Sequence, residues 1–182
     1  ANMTFDLVIC MPGTGDNDSF DIGRHIKSLY EHIPIVILTP FSHGITARIA
    51  DEDLSAFDYV FCWLGNTDLL VSIIKLIEDK MNLEHDVAEV GVQLILLVED
   101  GIRFYSSVLP NLYKFVLKQS QEFSTEALNA HQRTLRMRGR PKIVLARTYE
   151  EAITLYEKYK NNILGVITDV RFPRVERGEK DG

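Results

Sequence analysis

Unbroken apolar runs, rather than alternating ones, mark the extended segments of this chain. Residues 5–11, 35–39, 57–63, 92–98, 142–146 and 163–168 are short and rich in Val, Ile, Leu or aromatic side chains. Strands with no polar face are buried on both sides, the setting of a parallel sheet covered by helices. Between the first three runs, apolar positions recur at helical spacing. Phe20, Ile22, His25, Ile26 and Leu29 predict a helix over 19–31 with Asp18 as its cap, after a turn at 12–16. Ile45, Ile49 and Leu54 suit a short helix within 43–56. Leu69, Leu70, Ile73, Ile74 and Ile77 predict one over 68–81, capped by Asn66 or Thr67.

The polar stretch with Glu84, His85, Asp86 and Glu89 reads as a linker, 83–92. Beyond the run at 92–98 lie 42 residues, 101–142, before the apolar core of the next strand. Phe104, Val108, Leu112, Phe115 and Val116 fit one helix there, disturbed by Pro110. Phe123, Ala127, Leu128 and Leu135 fit a second helical stretch, and Arg133, Arg136, Arg138 and Arg140 close the segment. Late arginines suit the negative end of a helix. The competing nucleic-acid reading lacks interleaved stacking aromatics in an acidic chain. Thr148 with Glu151 three residues on starts a helix over 149–159. The polar tail 175–182 is expected to be loose. The expected organisation is therefore one part at 3–82, the linker 83–92, a second part at 93–174, and the tail.

Composition adds bounds. The 182 residues are 46% hydrophobic and 25% charged, enough for one or two small α/β domains. No run of 18 apolar residues is present, so no membrane span is expected, and no leader for secretion is suggested. Cys10 and Cys62 lie in apolar runs; buried free thiols in the cytoplasm are expected over a disulfide. The net charge of −6 is uneven. Residues 1–90 hold 5 Lys/Arg against 15 Asp/Glu, and residues 91–182 hold 15 against 11. That suits either two solvated surfaces or halves that attract each other, within or between chains.

Three acids stand at strand ends, Glu99 and Asp100 after one run and Asp169 after another. If those strands are neighbours, the carboxylates converge at the carboxyl edge of the sheet, where α/β proteins place their ligands. Their mutual repulsion would be relieved by a hard divalent cation such as Mg²⁺. The plainer reading is a set of solvated sheet caps.

These residues carry a resemblance. Leu94-Ile95-Leu96-Leu97-Val98-Glu99-Asp100 resembles the first strand and acidic pair of response-regulator receiver domains. Ile163 to Asp169 resembles their third strand and phosphoacceptor, followed by Arg171-Phe172-Pro173. The resemblance implies Mg²⁺ held by Glu99, Asp100 and Asp169, Asp169 phosphorylated by a histidine kinase, and a flavodoxin-like parallel sheet. Residues 5–11, 35–39 and 59–63 resemble the family's third, fourth and fifth strands, with Thr39 at the switch hydroxyl. Here the pattern departs: Met11 stands at the acceptor position and Trp63 at that of the lysine, so the first part resembles a degenerate receiver. At a finer level, residues 94–107, 135–143 and 148–152 resemble the amino-terminal receiver-like region of bacterial proteins related to phosphoenolpyruvate synthase and pyruvate phosphate dikinase. That likeness implies a regulatory region attached to enzyme domains rather than an enzyme in itself.

Each part supplies three of the five strands such a sheet needs. The missing strands could lie elsewhere in a larger protein, the parts could close into one circularly permuted sheet, or two chains could exchange them in a homo-oligomer or swapped dimer. The functional expectation is a regulatory or signalling module with a phosphoacceptor at Asp169, the alternative being a pseudo-receiver that only binds and assembles. A flavodoxin-type small-molecule domain would need phosphate-cradling glycines after the strand at 94–98, where Gly101-Ile102-Arg103-Phe104 supplies none.

Overall fold

A computed structural model describes residues 5–12, 18–40, 49, 52–125, 139–169, 172–173 and 180–181. The turn expected over 12–16, most of the helix expected over 43–56, the stretch with Ala127, Leu128, Leu135, Arg133, Arg136 and Arg138, and Arg171 lie outside the described residues. Residues 52–56 are turn and irregular chain rather than helix.

The chain divides into two compact units, residues 1–69 and 70–182. The first is built on parallel strands in the order β1 (Val8–Cys10), β2 (Ile35–Pro40), β3 (Tyr59–Trp63). The central strand β2 is buried from Ile35 through Thr39, as an all-apolar strand must be. Helix α1 (Ser19–Leu29) starts where Asp18 accepts a hydrogen bond from Phe20 N at 2.9 Å. Its Gly23 lies so close to the Phe57 ring that a Cβ there would sit 2.4 Å from the ring edge. A glycine is what lets this helix approach. Asp58 closes the base of the sheet, accepting from Ile35 N at 3.0 Å and Lys27 Nζ at 3.1 Å.

Cys10 and Cys62 are both free and buried. They belong to β1 and β3 on opposite sides of β2. Two strand spacings, roughly 9–10 Å, separate them, beyond the reach of a disulfide.

Helix α2 (Asp68–Val90) starts where Asn66 Oδ1 accepts from Asp68 N at 3.0 Å. It runs straight through the segment expected as a linker, because Leu83 and Val87 continue its apolar face while Glu84, Glu89 and the other polar residues lie outward or half-buried. Gly91, with φ of 68°, ends it as a left-handed stop, its N–H donating to Val87 O at 3.0 Å.

The second unit continues with β4 (Leu94–Val98), α3 (Ile102–Thr125), β5 (Lys142–Ala146), α4 (Tyr149–Tyr159) and β6 (Ile163–Thr168). Its sheet is parallel, in the order β5-β4-β6. Leu94, Leu96 and Val98 pack with Val144, Ala146, Ala152, Tyr159 and Leu83 in one apolar cluster. Thr148 caps α4 as expected, accepting from Glu151 N at 3.2 Å, and Glu151 in return accepts from Arg147 N at 2.7 Å. Within the tail expected to be loose, Lys180–Asp181 (β8) pairs antiparallel with Phe172–Pro173 (β7).

Two further expectations are corrected. Helix α3 buries Tyr105, Leu109, Tyr113 and Val116, while Phe104 and Phe115 are exposed. Of the expected positions Val116 is buried, while Tyr105, Leu109 and Tyr113 take the inward places next to Phe104, Val108 and Leu112, and Tyr113 has a buried hydrogen-bond partner (below). And among the described residues the strands pair as two three-stranded parallel sheets rather than as one permuted sheet. The fold class is α/β with parallel sheets. Among the described residues no helix is long and apolar enough to cross a membrane.

Candidate metal centre

Strands β4 and β6 are hydrogen-bonded neighbours in register from Ile95↔Gly165 to Val98↔Thr168. The chain therefore leaves the sheet at residues 99 and 169 side by side. The ladder extends one step further on each side: Asp169 N donates to Val98 O at 3.1 Å, and Glu99 N donates to Ala146 O at 2.9 Å. These bonds hold both acids at the carboxyl edge, and Glu99 lies three residues before the start of α3. A helix N-terminus favours negative charge.

Each of Glu99, Asp100 and Asp169 offers a carboxylate oxygen, and these oxygens all lie within 4.8 Å of one another. Their settings differ. Glu99 is buried at 5% exposure, Asp100 is half-buried and Asp169 is exposed. Glu99 Oε1 accepts from Gly101 N at 2.9 Å. Burial pushes the Glu99 carboxyl above the ordinary glutamate value; the Gly101 N–H pulls it back, and the charges of Asp169 and Asp100 push it further up.

The donor set fits Mg²⁺. An octahedral site with ligands at about 2.0–2.1 Å places neighbouring oxygens about 3 Å apart and opposite ones about 4 Å apart. Three carboxylate oxygens within 4.8 Å of one another lie near those spacings. The exposed side of Asp169 leaves room for the waters and phosphoryl oxygen that Mg²⁺ prefers to keep.

Gly101 sets the approach of the loop. A Cβ built there meets Glu99 Oε1 at 2.8 Å. Gly101→Ala is expected to push the Glu99 carboxylate out of line and weaken Mg²⁺ binding by about tenfold, the size of effect typical when a group orienting a ligand is disturbed. Isothermal titration of the variant checks it; unchanged affinity would show that the Glu99 side chain accommodates the added Cβ.

Thr39, the expected switch hydroxyl, belongs to the first unit. It is buried in β2, where its Oγ1 donates to Pro40 O at 3.0 Å. Met11 lies exposed beyond β1, and Trp63 ends β3 opposite Pro40. The structure thus brings together Glu99, Asp100 and Asp169, with Thr39 in the other unit.

Sequence reasoning missed one cluster. Asp79 of α2 is fully buried and binds Arg140 through contacts of 2.6 and 3.1 Å. It also accepts from Tyr113 Oη and Ile143 N, both at 3.0 Å, and lies 3.6 Å from Lys142 Nζ. Lys142 reaches Asp86 at 2.7 Å. Burial opposes the charge on Arg140, but Asp79, then Tyr113 and Glu78, outweigh it and raise its pKa. The available signal was spacing: with Leu69, Ser72, Ile73, Leu76 and Leu83 buried, Asp79 falls on the inward face of α2. A carboxylate there demands a buried cation, and Arg140 supplies it rather than capping a helix end.

No family model, no curated protein and no solved structure matches the chain.

Proposed function

We propose that this chain is a regulatory module of receiver type, in which Glu99, Asp100 and Asp169 hold Mg²⁺ and Asp169 accepts a phosphoryl group. The supporting observation is the convergence of the three carboxylates at the carboxyl edge of two adjacent parallel strands, with the candidate acceptor the most exposed of them. Strand order supports the flavodoxin-like reading. The arrangement β5-β4-β6 matches the second, first and third strands of a 2-1-3-4-5 sheet, and β1-β2-β3 matches its third, fourth and fifth.

Bound Mg²⁺ would draw charge from the phosphoryl oxygens and offset the mutual repulsion of the carboxylates. The chain's own residues do the rest. The Gly101 N–H fixes Glu99, and the bond from Asp169 N to Val98 O fixes the acceptor at the strand end. One carboxylate oxygen of Asp169 attacks phosphorus, the bond from phosphorus to the donor's leaving group breaks, and the leaving group departs with the electron pair. The product is an acyl phosphate. The natural donor would be the phosphohistidine of a histidine kinase, and the readout a change in attached enzyme domains.

A second reading, a pseudo-receiver that only binds and assembles, draws on Met11 and Trp63 at the acceptor and lysine positions of the first unit. Incubation with acetyl phosphate and Mg²⁺ followed by intact-mass measurement separates the two. One phosphoryl group per chain is expected, lost with chelator and in Asp169→Asn. No adduct while Mg²⁺ still binds favours the pseudo-receiver; an adduct that survives Asp169→Asn overturns the assignment of the acceptor.

A further inference from the structure

A run of hydrogen bonds joins the acids of the sheet edge to the start of α4. Asp169 N donates to Val98 O at 3.1 Å. The N–H of the same peptide group, that of Glu99, donates to Ala146 O at 2.9 Å. The N–H of the next peptide group, that of Arg147, donates to Glu151 Oε2 at 2.7 Å. A planar trans peptide points its C=O and its N–H to opposite sides. The run therefore passes from the end of β6 over β4 and β5 and finishes on a carboxylate in the first turn of α4.

Its last link is not the usual one. In a capping box the third helical residue returns to the N–H of the cap itself. Here the cap is Thr148, and Glu151 reaches one residue further back, to the peptide whose carbonyl holds Glu99. The backbone of Glu151 is tied down in turn. Glu151 N donates to Thr148 Oγ1 at 3.2 Å, and Ala152 N donates to Thr148 O at 3.0 Å.

We propose that Glu151 is a positioning residue of the metal centre: through two peptide groups it sets the places of Glu99 and Asp169 at the sheet edge. The proposal rests on the reading of Glu99, Asp100 and Asp169 as a Mg²⁺ site. Two effects act along the run. The first is geometric. Ala146 is the last paired residue of β5, so the ladder does not fix the tilt of the peptide that follows it. Glu151 fixes that tilt and keeps Ala146 O facing Glu99 N. The second is electronic. A hydrogen bond to a carboxylate is stronger than one to a neutral acceptor, and each polarised amide makes its carbonyl a better acceptor for the next donor. The bonds from Glu99 N and Asp169 N are both strengthened from the far end.

Titration calorimetry of Mg²⁺ into the full chain, at fixed ionic strength, tests this. Glu151→Ala is expected to weaken binding about fivefold, less than the ~10–100-fold typical of a group bonded directly to a metal ligand. Glu151→Gln loses the same charge but keeps an acceptor for Arg147 N, so it should stay within about twofold of wild type. Thr148→Ala controls for a merely structural role. It weakens the same helix start yet leaves the acceptor in place, so it should lower the unfolding midpoint with little change in affinity. Amide exchange by NMR in the metal-free chain adds a readout independent of the cation. Glu151→Ala should speed exchange at Glu99 and Asp169 relative to Leu94, whose N–H bonds to Asn162 O at the other end of β4. Unchanged affinity in Glu151→Ala, an equal loss in Glu151→Gln or Thr148→Ala, or unchanged exchange at Glu99 and Asp169 would overturn the proposal. A wild-type chain that binds no Mg²⁺ is the failure of the receiver reading, and this proposal falls with it. Wild-type binding that Glu151→Ala leaves unmoved is the failure of this proposal alone.

Discussion

Asp79→Ala is expected to destabilise the second unit by about 3–5 kcal/mol, the usual result of removing one partner from a buried ion pair. The side chains of Asp79, Arg140 and Lys142 are 0%, 5% and 5% exposed. Lys142 keeps Asp86 at 2.7 Å when Asp79 is lost, so the charge left short of a partner is that of Arg140, which retains only Glu78 at 4.0 Å and Pro141 O at 3.3 Å. Tyr113 Oη and Ile143 N lose their acceptor as well, so α3 and the start of β5 are released from α2 together. Against a whole-domain stability of about 5–15 kcal/mol, this is a large fraction. Urea unfolding followed by circular dichroism measures it. Asp79→Asn should fall between wild type and alanine, because the amide keeps an acceptor but loses the charge. The double variant Asp79→Leu with Arg140→Met should recover much of the loss, since replacing both buried charges removes the desolvation cost along with the attraction. A loss below about 1 kcal/mol for Asp79→Ala would show that the cluster does not clasp these elements.

The same cluster shows where local pattern stops being informative. The strands were legible because consecutive Val, Ile and Leu bounded by Pro34, Asn162 or Pro141 leave little else for the chain to do. The caps at Asp18 and Thr148 were legible because their donors lie within three residues. The continuation of α2 was not, since Glu84, His85, Asp86 and Glu89 look like a loop when polarity is read without phase. Leu83 and Val87 hold the register. Tyr113, buried where Phe115 was expected, donates to Asp79, which lies 34 residues away. No local window contains that partner. The three site acids were visible as strand-end residues, but their convergence needed β4 and β6 to be adjacent, which periodicity does not encode. Division into two sheets is likewise a matter of which edges pair, and an apolar strand carries no label for its neighbour.

Millimolar Mg²⁺ is expected to raise the unfolding midpoint of the chain. On the proposed reading the cation would bind three carboxylates whose oxygens lie within 4.8 Å of one another in the folded chain. Binding to the folded state alone stabilises by about 1.4 kcal/mol at ten times the dissociation constant and about 2.7 kcal/mol at a hundred times. NaCl at matched ionic strength separates coordination from screening, because screening also relieves like-charge repulsion. Asp169→Asn should remove most of the Mg²⁺ response. Glu99→Gln should do more. Burial and the neighbouring acids raise the Glu99 pKa, so its charged form is the less favoured one in the metal-free fold. Neutralising it should stabilise the metal-free chain while abolishing the response to Mg²⁺, moving the two readings in opposite directions. An acidic cluster that binds no cation would still show the gain in metal-free stability, so only the loss of the Mg²⁺ response identifies a metal ligand. If Glu99→Gln leaves the Mg²⁺ response intact, Glu99 is a structural carboxylate tied to Gly101, and any cation site is limited to Asp100 and Asp169.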